Sequence, residues 1–99
     1  MAVLPGLVNA HIHLELSHLR GRVPPSDEFV SWIRDIVALR QTDSPGADIK
    51  AGIVVGIAEA TRFGTALVGD ISNTLLPFHA LAESDLAAVV FYELLRFNA

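Results

Sequence analysis

The chain has 99 residues, enough for one small domain or for part of a larger one. Apolar residues make up 52% of it and charged residues 18%, which excludes a disordered tail and a coiled coil. The net charge of -4 leaves no basic surplus to neutralise phosphates, so we expect no nucleic-acid partner. Cysteine is absent, so any metal would have to bind histidine and carboxylate side chains.

The opening residues and the apolar runs also bear on location. No stretch approaches the roughly 20 apolar residues of a membrane span. The first residues, Met1 to Pro5, lack the basic region and the long apolar core of a signal peptide. We therefore expect a cytoplasmic protein with no membrane partner.

The first predicted elements are a strand and an amphipathic helix. An apolar run after Pro5-Gly6 predicts a buried strand over residues 7–14, followed by a loop over 17–25. Apolar residues then recur at helical spacing, which predicts a helix over 27–40 with Ser26 as its N-cap. The apolar stripe comprises Phe29, Trp32, Ile33, Ile36 and Val37. A turn is expected over 42–46.

A second helix is predicted over residues 47–63. It should end at Gly64, because glycine commonly follows the last helical turn. Gly52 and Gly56 weaken this helix by roughly 1 kcal/mol each relative to alanine. Their four-residue spacing places both on one face, which allows a neighbouring element to pack closely there.

The rest of the chain predicts two more buried strands, over residues 65–71 and 87–95. Between them we expect a short helix within 75–84, interrupted near Pro77. Continuous apolar strands separated by helices indicate parallel βαβ units. The sequence therefore predicts an α/β fold with three neighbouring parallel strands and both long helices packed on one outer face.

His11-Ile12-His13 is the pattern with the clearest chemical meaning. In a strand, residues two apart project from the same face, so the two imidazoles can converge on one cation. Taken alone, the pattern also fits two polar residues at a strand end whose hydrogen bonds are satisfied by neighbours or water.

The residues around this pair resemble a known family. The stretch from Pro5 to Glu15, PGLVNAHIHLE, resembles the first barrel strand of the amidohydrolase superfamily, whose two histidines bind a divalent metal. Gly64 to Asp70 resembles the second strand of that barrel, and Val89 to Glu93 resembles the third. Within the superfamily the chain is most similar to the deaminase branch, including aminodeoxyfutalosine deaminases and chlorohydrolase-like proteins. The similarity rests on residues 13–17, Gly21, residues 29–33 and Arg40.

The resemblance implies a partial (β/α)8 TIM barrel. A complete barrel needs roughly 250 residues, so we interpret residues 1–99 as a single incomplete domain, the N-terminal part of such a barrel. It also implies that His11 and His13 hold zinc or iron, and that other strands supply the remaining ligands and a catalytic Asp. The implied reaction is hydrolysis of a C–N bond, such as deamination of a purine-like or other N-heterocyclic small-molecule substrate.

Three carboxylates fall at predicted carboxyl ends of strands, where barrels carry their active sites. Glu15 follows the histidines and is a candidate pocket-lining catalytic residue, with a solvated loop carboxylate as the alternative. Glu93 is a second such candidate, because a carboxylate in an apolar strand needs a partner. Asp70 ends the second strand, where turn formation explains it equally well. We expect Asp70 and Glu93 to lie near the two histidines.

A competing hypothesis is a non-catalytic fragment whose only activity is self-association. Two histidines are half of a four-ligand zinc shell, and a three-stranded sheet leaves two open edges. We therefore expect this chain alone to be inactive, and to associate with itself or with the remainder of the barrel. A phosphate-binding α/β protein is disfavoured, because no glycine-rich phosphate loop follows any strand.

Overall fold

The computed structural model describes residues 1–41 and 46–94 of the chain. The elements in chain order are β1 (Leu7–Ile12), the 3-10 helix η1 (Leu14–Leu19), α1 (Phe29–Gln41), α2 (Gly46–Arg62), β2 (Thr65–Ser72), α3 (Pro77–Glu83) and β3 (Ala87–Tyr92). Four of the five residues of the predicted turn at 42–46, and the last residue of the predicted strand 87–95, lie outside the described residues. No helix in the described ranges is long and apolar enough to cross a membrane.

The three strands form one parallel sheet in the order β1-β2-β3, which confirms the predicted α/β arrangement. The β2–β3 register runs evenly from Leu67 opposite Ala87 to Ser72 opposite Tyr92. The β1–β2 register is irregular. A side chain at Gly69 would collide with the carbonyl oxygen of Ala10, so glycine allows the two strands to approach there. All three strands end at the same edge of the sheet.

One apolar core lies between the sheet and the helices α2, α3 and η1. Val68 of β2 and Ile53 of α2 are each only 1% exposed, so they mark its centre. The buried cluster consists of Leu14, Ile53, Ile57, Val68, Leu81 and Leu86. The predicted strand 65–71 thus buries Val68, and the predicted helix 47–63 buries Ile53 and Ile57. Gly64 adopts a left-handed φ of 89° immediately after α2, as predicted for a helix-ending glycine.

Gly52 and Gly56 pack against η1, which confirms that this face of α2 meets a close neighbour. A Cβ at Gly52 would lie 2.7 Å from the backbone nitrogen of His18. A Cβ at Gly56 would lie 2.8 Å from Oγ of Ser17 and 3.0 Å from Cδ2 of Leu14. The missing side chains therefore let η1 rest directly on α2, and η1 starts one residue after His13.

The prediction that the first strand extends to residue 14 is wrong. β1 ends at Ile12, and η1 takes the place of the predicted end of that strand and the start of the loop at 17–25. The cause is a long-range contact, since the N–H of Leu14 donates to Oδ1 of Asp70 at 2.9 Å. That bond turns the backbone out of the sheet, so that Leu14 enters the core and Glu15 becomes buried.

Two expectations about the helices also need correction. α1 begins two residues later than predicted, and it is not packed on the sheet beside α2, because it has no extensive contact with another element in the described residues. Phe29 is 73% exposed, and Trp32 and Ile33 of the same stripe are also exposed. Pro77 does not interrupt a helix within 75–84; it lies in the first turn of α3, where its missing N–H costs nothing.

Candidate metal centre and the strand-end network

The two histidines of the His-x-His pattern converge at the end of β1. Ile12 between them packs against the core on the helix side, so His11 projects to the opposite side of the sheet. Nε2 of His11 lies 3.2 Å from Nε2 of His13, and the rings meet edge to face. The two side chains therefore point to one place, as the strand spacing predicted, although His13 lies just beyond the strand.

A second contact orients the ring of His13. Its Nδ1 lies 3.1 Å from the backbone carbonyl oxygen of Ile71 in β2. A carbonyl oxygen can only accept, so Nδ1 of His13 carries a proton and donates it in this bond. In the neutral ring Nε2 is then the basic atom, and it is the atom that faces His11.

This donor set fits two ligands of a divalent metal ion. Two nitrogens in a tetrahedral zinc site, each about 2.0–2.1 Å from the ion, lie about 3.3 Å apart, close to the separation found here. Metal-binding histidines typically donate their other ring N–H to a carbonyl or carboxylate, as His13 does to Ile71. Within residues 1–41 and 46–94, no group of three or more His, Cys, Asp or Glu side chains comes together, so the pair is not a complete shell.

Glu15 lies at the centre of a separate, buried network at the strand ends. Its side chain is 3% exposed, and its two oxygens accept five hydrogen bonds. Oε2 accepts from Oγ of Ser72 at 2.9 Å, and from Oγ1 and N–H of Thr74 at 2.6 and 3.1 Å. Oε1 accepts from N–H of Asn73 at 2.9 Å and from Nη2 of Arg40 at 3.1 Å. These bonds tie the end of β1 to the loop after β2.

The same bonds keep Glu15 ionised. Burial raises the pKa of its carboxyl, but the hydrogen bonds from Thr74, Asn73 and Ser72 together outweigh burial, so the pKa is lowered from its ordinary value. Glu15 is therefore not the solvated loop carboxylate of the alternative interpretation, because its side chain is buried and both of its oxygens accept hydrogen bonds within the protein.

Asn73 extends the network to the third strand. Its Oδ1 accepts from Nη1 of Arg40 at 2.8 Å, while its Nδ2 donates to the backbone oxygen of Glu93 at 2.8 Å and to Oε1 of Glu93 at 3.2 Å. Arg40 thereby anchors the end of α1 to the ends of β1 and β2. Glu93, half-buried, is linked to Asn73 and hence to the Glu15 network.

Asp70 lies beside the segment that carries His13: the N–H of Leu14 donates to its carboxylate, and His13 is close enough to lower its pKa against the larger effect of burial. Asp70 lies on the same face of β2 as Val68 and Ser72, which are two residues away on either side. That face packs against the helices, and Asp70 is 0% exposed there. Its Oδ1 accepts from Leu14, and its Oδ2 is buried with no hydrogen-bond partner among residues 1–41 and 46–94. Burial raises the pKa of Asp70, with a smaller contribution from the nearby charge of Glu15. Its structural effect is to turn the chain after β1.

Four members of the network are not identified as functional by the sequence: Ser72, Asn73, Thr74 and Arg40. The sequence uses Arg40 only as one of the residues that resemble the deaminase branch. The available signal was position, because Ser72, Asn73 and Thr74 occupy the carboxyl end of a buried parallel strand. Of the remaining histidines, His79 pairs with Glu83 on the exposed face of α3, away from this network.

Comparisons with known proteins agree with this geometry. Residues 2–95 match the amidohydrolase family. The chain is 30% identical over 97 residues to an aminodeoxyfutalosine deaminase of Nitratiruptor sp., an alignment covering 98% of this chain and 24% of that protein. It is 32% identical over 71 residues to a 5'-deoxyadenosine deaminase of Methanothrix thermoacetophila, covering 72% of this chain and 17% of that protein.

A solved structure shows the same arrangement of elements. The crystal structure of Helicobacter pylori aminofutalosine deaminase in complex with methylthio-coformycin matches with a TM-score of 0.78 and 31% sequence identity. The match covers 96% of this chain and 22% of that one. The fold is that of an α/β protein with a partial barrel, and the chain belongs to the amidohydrolase family. It spans between 17% and 24% of the length of these relatives.

Proposed function

We propose that these residues form the metal-binding first part of a barrel that hydrolytically deaminates an adenosine-like small molecule in the cytoplasm. The observation that carries the proposal is the histidine pair, whose Nε2 atoms are 3.2 Å apart with Nδ1 of His13 fixed by Ile71. The relatives named above are deaminases, and one of them is solved with methylthio-coformycin. Together these findings favour removal of an amine over other C–N hydrolyses.

In this proposal the ion is zinc or iron, held by Nε2 of His11 and of His13. A divalent ion supplies, when bound, an activated water for attack on the amine-bearing carbon. The residues of this chain orient the ligands. The carbonyl of Ile71 holds the His13 ring, and the end of β1 is fixed to β2 by Asp70 and Glu15. Glu15 and Glu93, first considered as pocket-lining catalytic residues, support the strand ends in this proposal.

The test of the reaction uses a barrel-length protein that carries these residues. Ammonia release from adenosine and 5'-deoxyadenosine is measured for the wild type and for the variants His11→Ala and His13→Ala. His79→Ala is the matched control, because His79 is exposed on α3 and pairs with Glu83, away from the histidine pair. We expect both site variants to lose activity and the control to keep it. Full activity in His11→Ala, or no release from either nucleoside in the wild type, would overturn the proposal.

A second proposal, self-association of the chain as its only activity, is favoured by a different observation. Val89, Phe91 and Tyr92 of β3 are about half exposed, as are Leu7 and Val8 of β1. In the described residues, β1 and β3 also each have an edge with no neighbouring strand. Apolar side chains and open strand edges of this kind favour association between chains.

A further inference from the structure

We propose that Glu15 is a positioning residue for the histidine pair, acting through its hydrogen bonds to the loop after β2. The bonds lock the chain just after His13 in place, so that the ring of His13 meets the carbonyl of Ile71 and turns Nε2 toward His11. The expected effect on metal binding rests on the proposed metal site. The expected effect on the orientation of the His13 ring does not, because that orientation is measured without metal.

Three consecutive residues carry the argument. His13 donates through Nδ1 to the oxygen of Ile71, Leu14 donates through N–H to Asp70, and Glu15 accepts from residues 72–74. Residues 13–15 are therefore joined to residues 70–74 at every position. Glu15 makes four of these bonds and a fifth with Arg40, whereas His13 and Leu14 each make one. It is the strongest attachment of the segment.

The loop that holds Glu15 is itself held in an unusual conformation. Leu75 has a φ of 62°, a left-handed value that residues other than glycine seldom adopt. Its N–H donates to Oγ of Ser72 at 2.8 Å, and the same Oγ donates to Glu15. A strained turn persists only where surrounding bonds fix it, and here those bonds converge on the Glu15 carboxylate.

The donors around Glu15 also decide what a substitution would do. Every group that contacts the Glu15 oxygens donates through an N–H or O–H. In Glu15→Gln, an NH₂ group replaces one oxygen, and it cannot accept the hydrogen bonds of the N–H groups it faces. Glu15→Gln therefore loses several bonds at once and tests the whole attachment. Thr74→Val is the milder variant, because Thr74 is exposed and its Oγ1 makes the shortest bond to Glu15. Thr74→Ser keeps the hydroxyl and serves as the conservative rescue.

The experiment measures the ring nitrogens of His13 by NMR in the 99-residue chain, with and without added Zn²⁺. The matched control is Glu59→Gln, which breaks the exposed ion pair of Glu59 with Arg20, 2.8 Å long. We expect Glu15→Gln and Thr74→Val to reduce the population in which Nδ1 of His13 carries the bonded proton. Thr74→Ser and Glu59→Gln should leave that population at its wild-type value.

The metal readout is a Zn²⁺ titration of the same substitutions in the barrel-length protein, because the two histidines are only half of a four-ligand shell. Loss of a supporting contact around a ligand typically weakens metal binding by about 10- to 100-fold, so we expect at least tenfold for Glu15→Gln. The single bond lost in Thr74→Val should weaken binding by roughly two- to tenfold. If the wild type binds no Zn²⁺, the proposed function fails, and the His13 signals still decide the positioning role. Unchanged His13 signals in folded Thr74→Val would overturn that role, even if Glu15→Gln does not fold.

Discussion

Substituting Gly52 by alanine tests whether η1 rests on α2 as described. In an exposed helix the change would stabilise the protein by roughly 1 kcal/mol, because glycine is the poorer helix former. Here the new Cβ would lie 2.7 Å from the backbone nitrogen of His18 and 3.0 Å from its Cα. Both are backbone atoms of η1, whose start is held by the bonds of Leu14 and Glu15. They therefore cannot move aside as the tip of a side chain can.

The expected magnitude follows from two opposing effects. Overpacking of a well-packed contact costs about 1–3 kcal/mol, and the gain in helix propensity offsets roughly 1 kcal/mol of it. Because the new Cβ at Gly52 meets backbone atoms, we expect the overpacking cost to lie in the upper part of that range, about 2–3 kcal/mol, so that Gly52→Ala lowers the free energy of unfolding by about 1–2 kcal/mol. Gly56→Ala should cost less, because its Cβ meets the movable side chains of Ser17 and Leu14.

The assay is urea unfolding monitored by far-UV circular dichroism. It is run at two protein concentrations so that association between chains is detected. Gly46→Ala is the matched control on the same helix, because a Cβ there has no atom of the described residues within 4 Å. We expect its stability to be unchanged or raised by up to about 1 kcal/mol. A Gly52→Ala protein as stable as the wild type would refute the close contact between η1 and α2, and with it the placement of the segment after His13.

Two further predictions concern charge and association. Burial raises the pKa of Asp70, so the stability that this group contributes is complete below about pH 4 and is lost as pH rises through its folded-state pKa. The Asp70→Asn variant has no carboxyl to ionise, so its free energy of unfolding minus that of the wild type should increase from pH 4 to pH 7 in urea titrations. A difference that stays constant over this range would contradict a raised pKa for Asp70. The exposed apolar residues of β1 and β3 predict that the 99-residue chain self-associates and is catalytically inert. Sedimentation velocity at micromolar concentration and an ammonia-release assay check this, and a monomer with measurable deaminase turnover would contradict both parts.

The sequence predicted the elements whose evidence is local. α2 and β2 carry apolar residues at regular spacing, and both were placed within one or two residues of their observed bounds. The direction of the histidine pair was also predictable, because it needs only the two-residue repeat of a strand. The end of β1 was not predictable in this way. It depends on Leu14 and Asp70, which are 56 residues apart in sequence.

Burial was harder to predict than secondary structure. The stripe of α1 correctly indicated a helix, but an apolar stripe does not say which neighbour covers it, and Phe29 and Trp32 are exposed here. Glu15 shows the reverse case. Its sequence position suggested either a carboxylate at a pocket or a solvated loop residue, and the burial that excludes the second depends on donors more than 50 residues away. Local patterns hold no information about such partners, so the strand-end network emerged only from the structure.

The central claim, that His11 and His13 form part of a metal site, is tested most directly by following all four histidine rings during a Zn²⁺ titration. Ring nitrogen chemical shifts are recorded by NMR on the 99-residue chain, with His18 and His79 as internal controls. We predict that Nε2 of His11 and Nε2 of His13 shift together, that Nδ1 of His13 keeps its proton, and that both control rings stay unchanged. No response from the pair, or an equal response from all four rings, would contradict the claim.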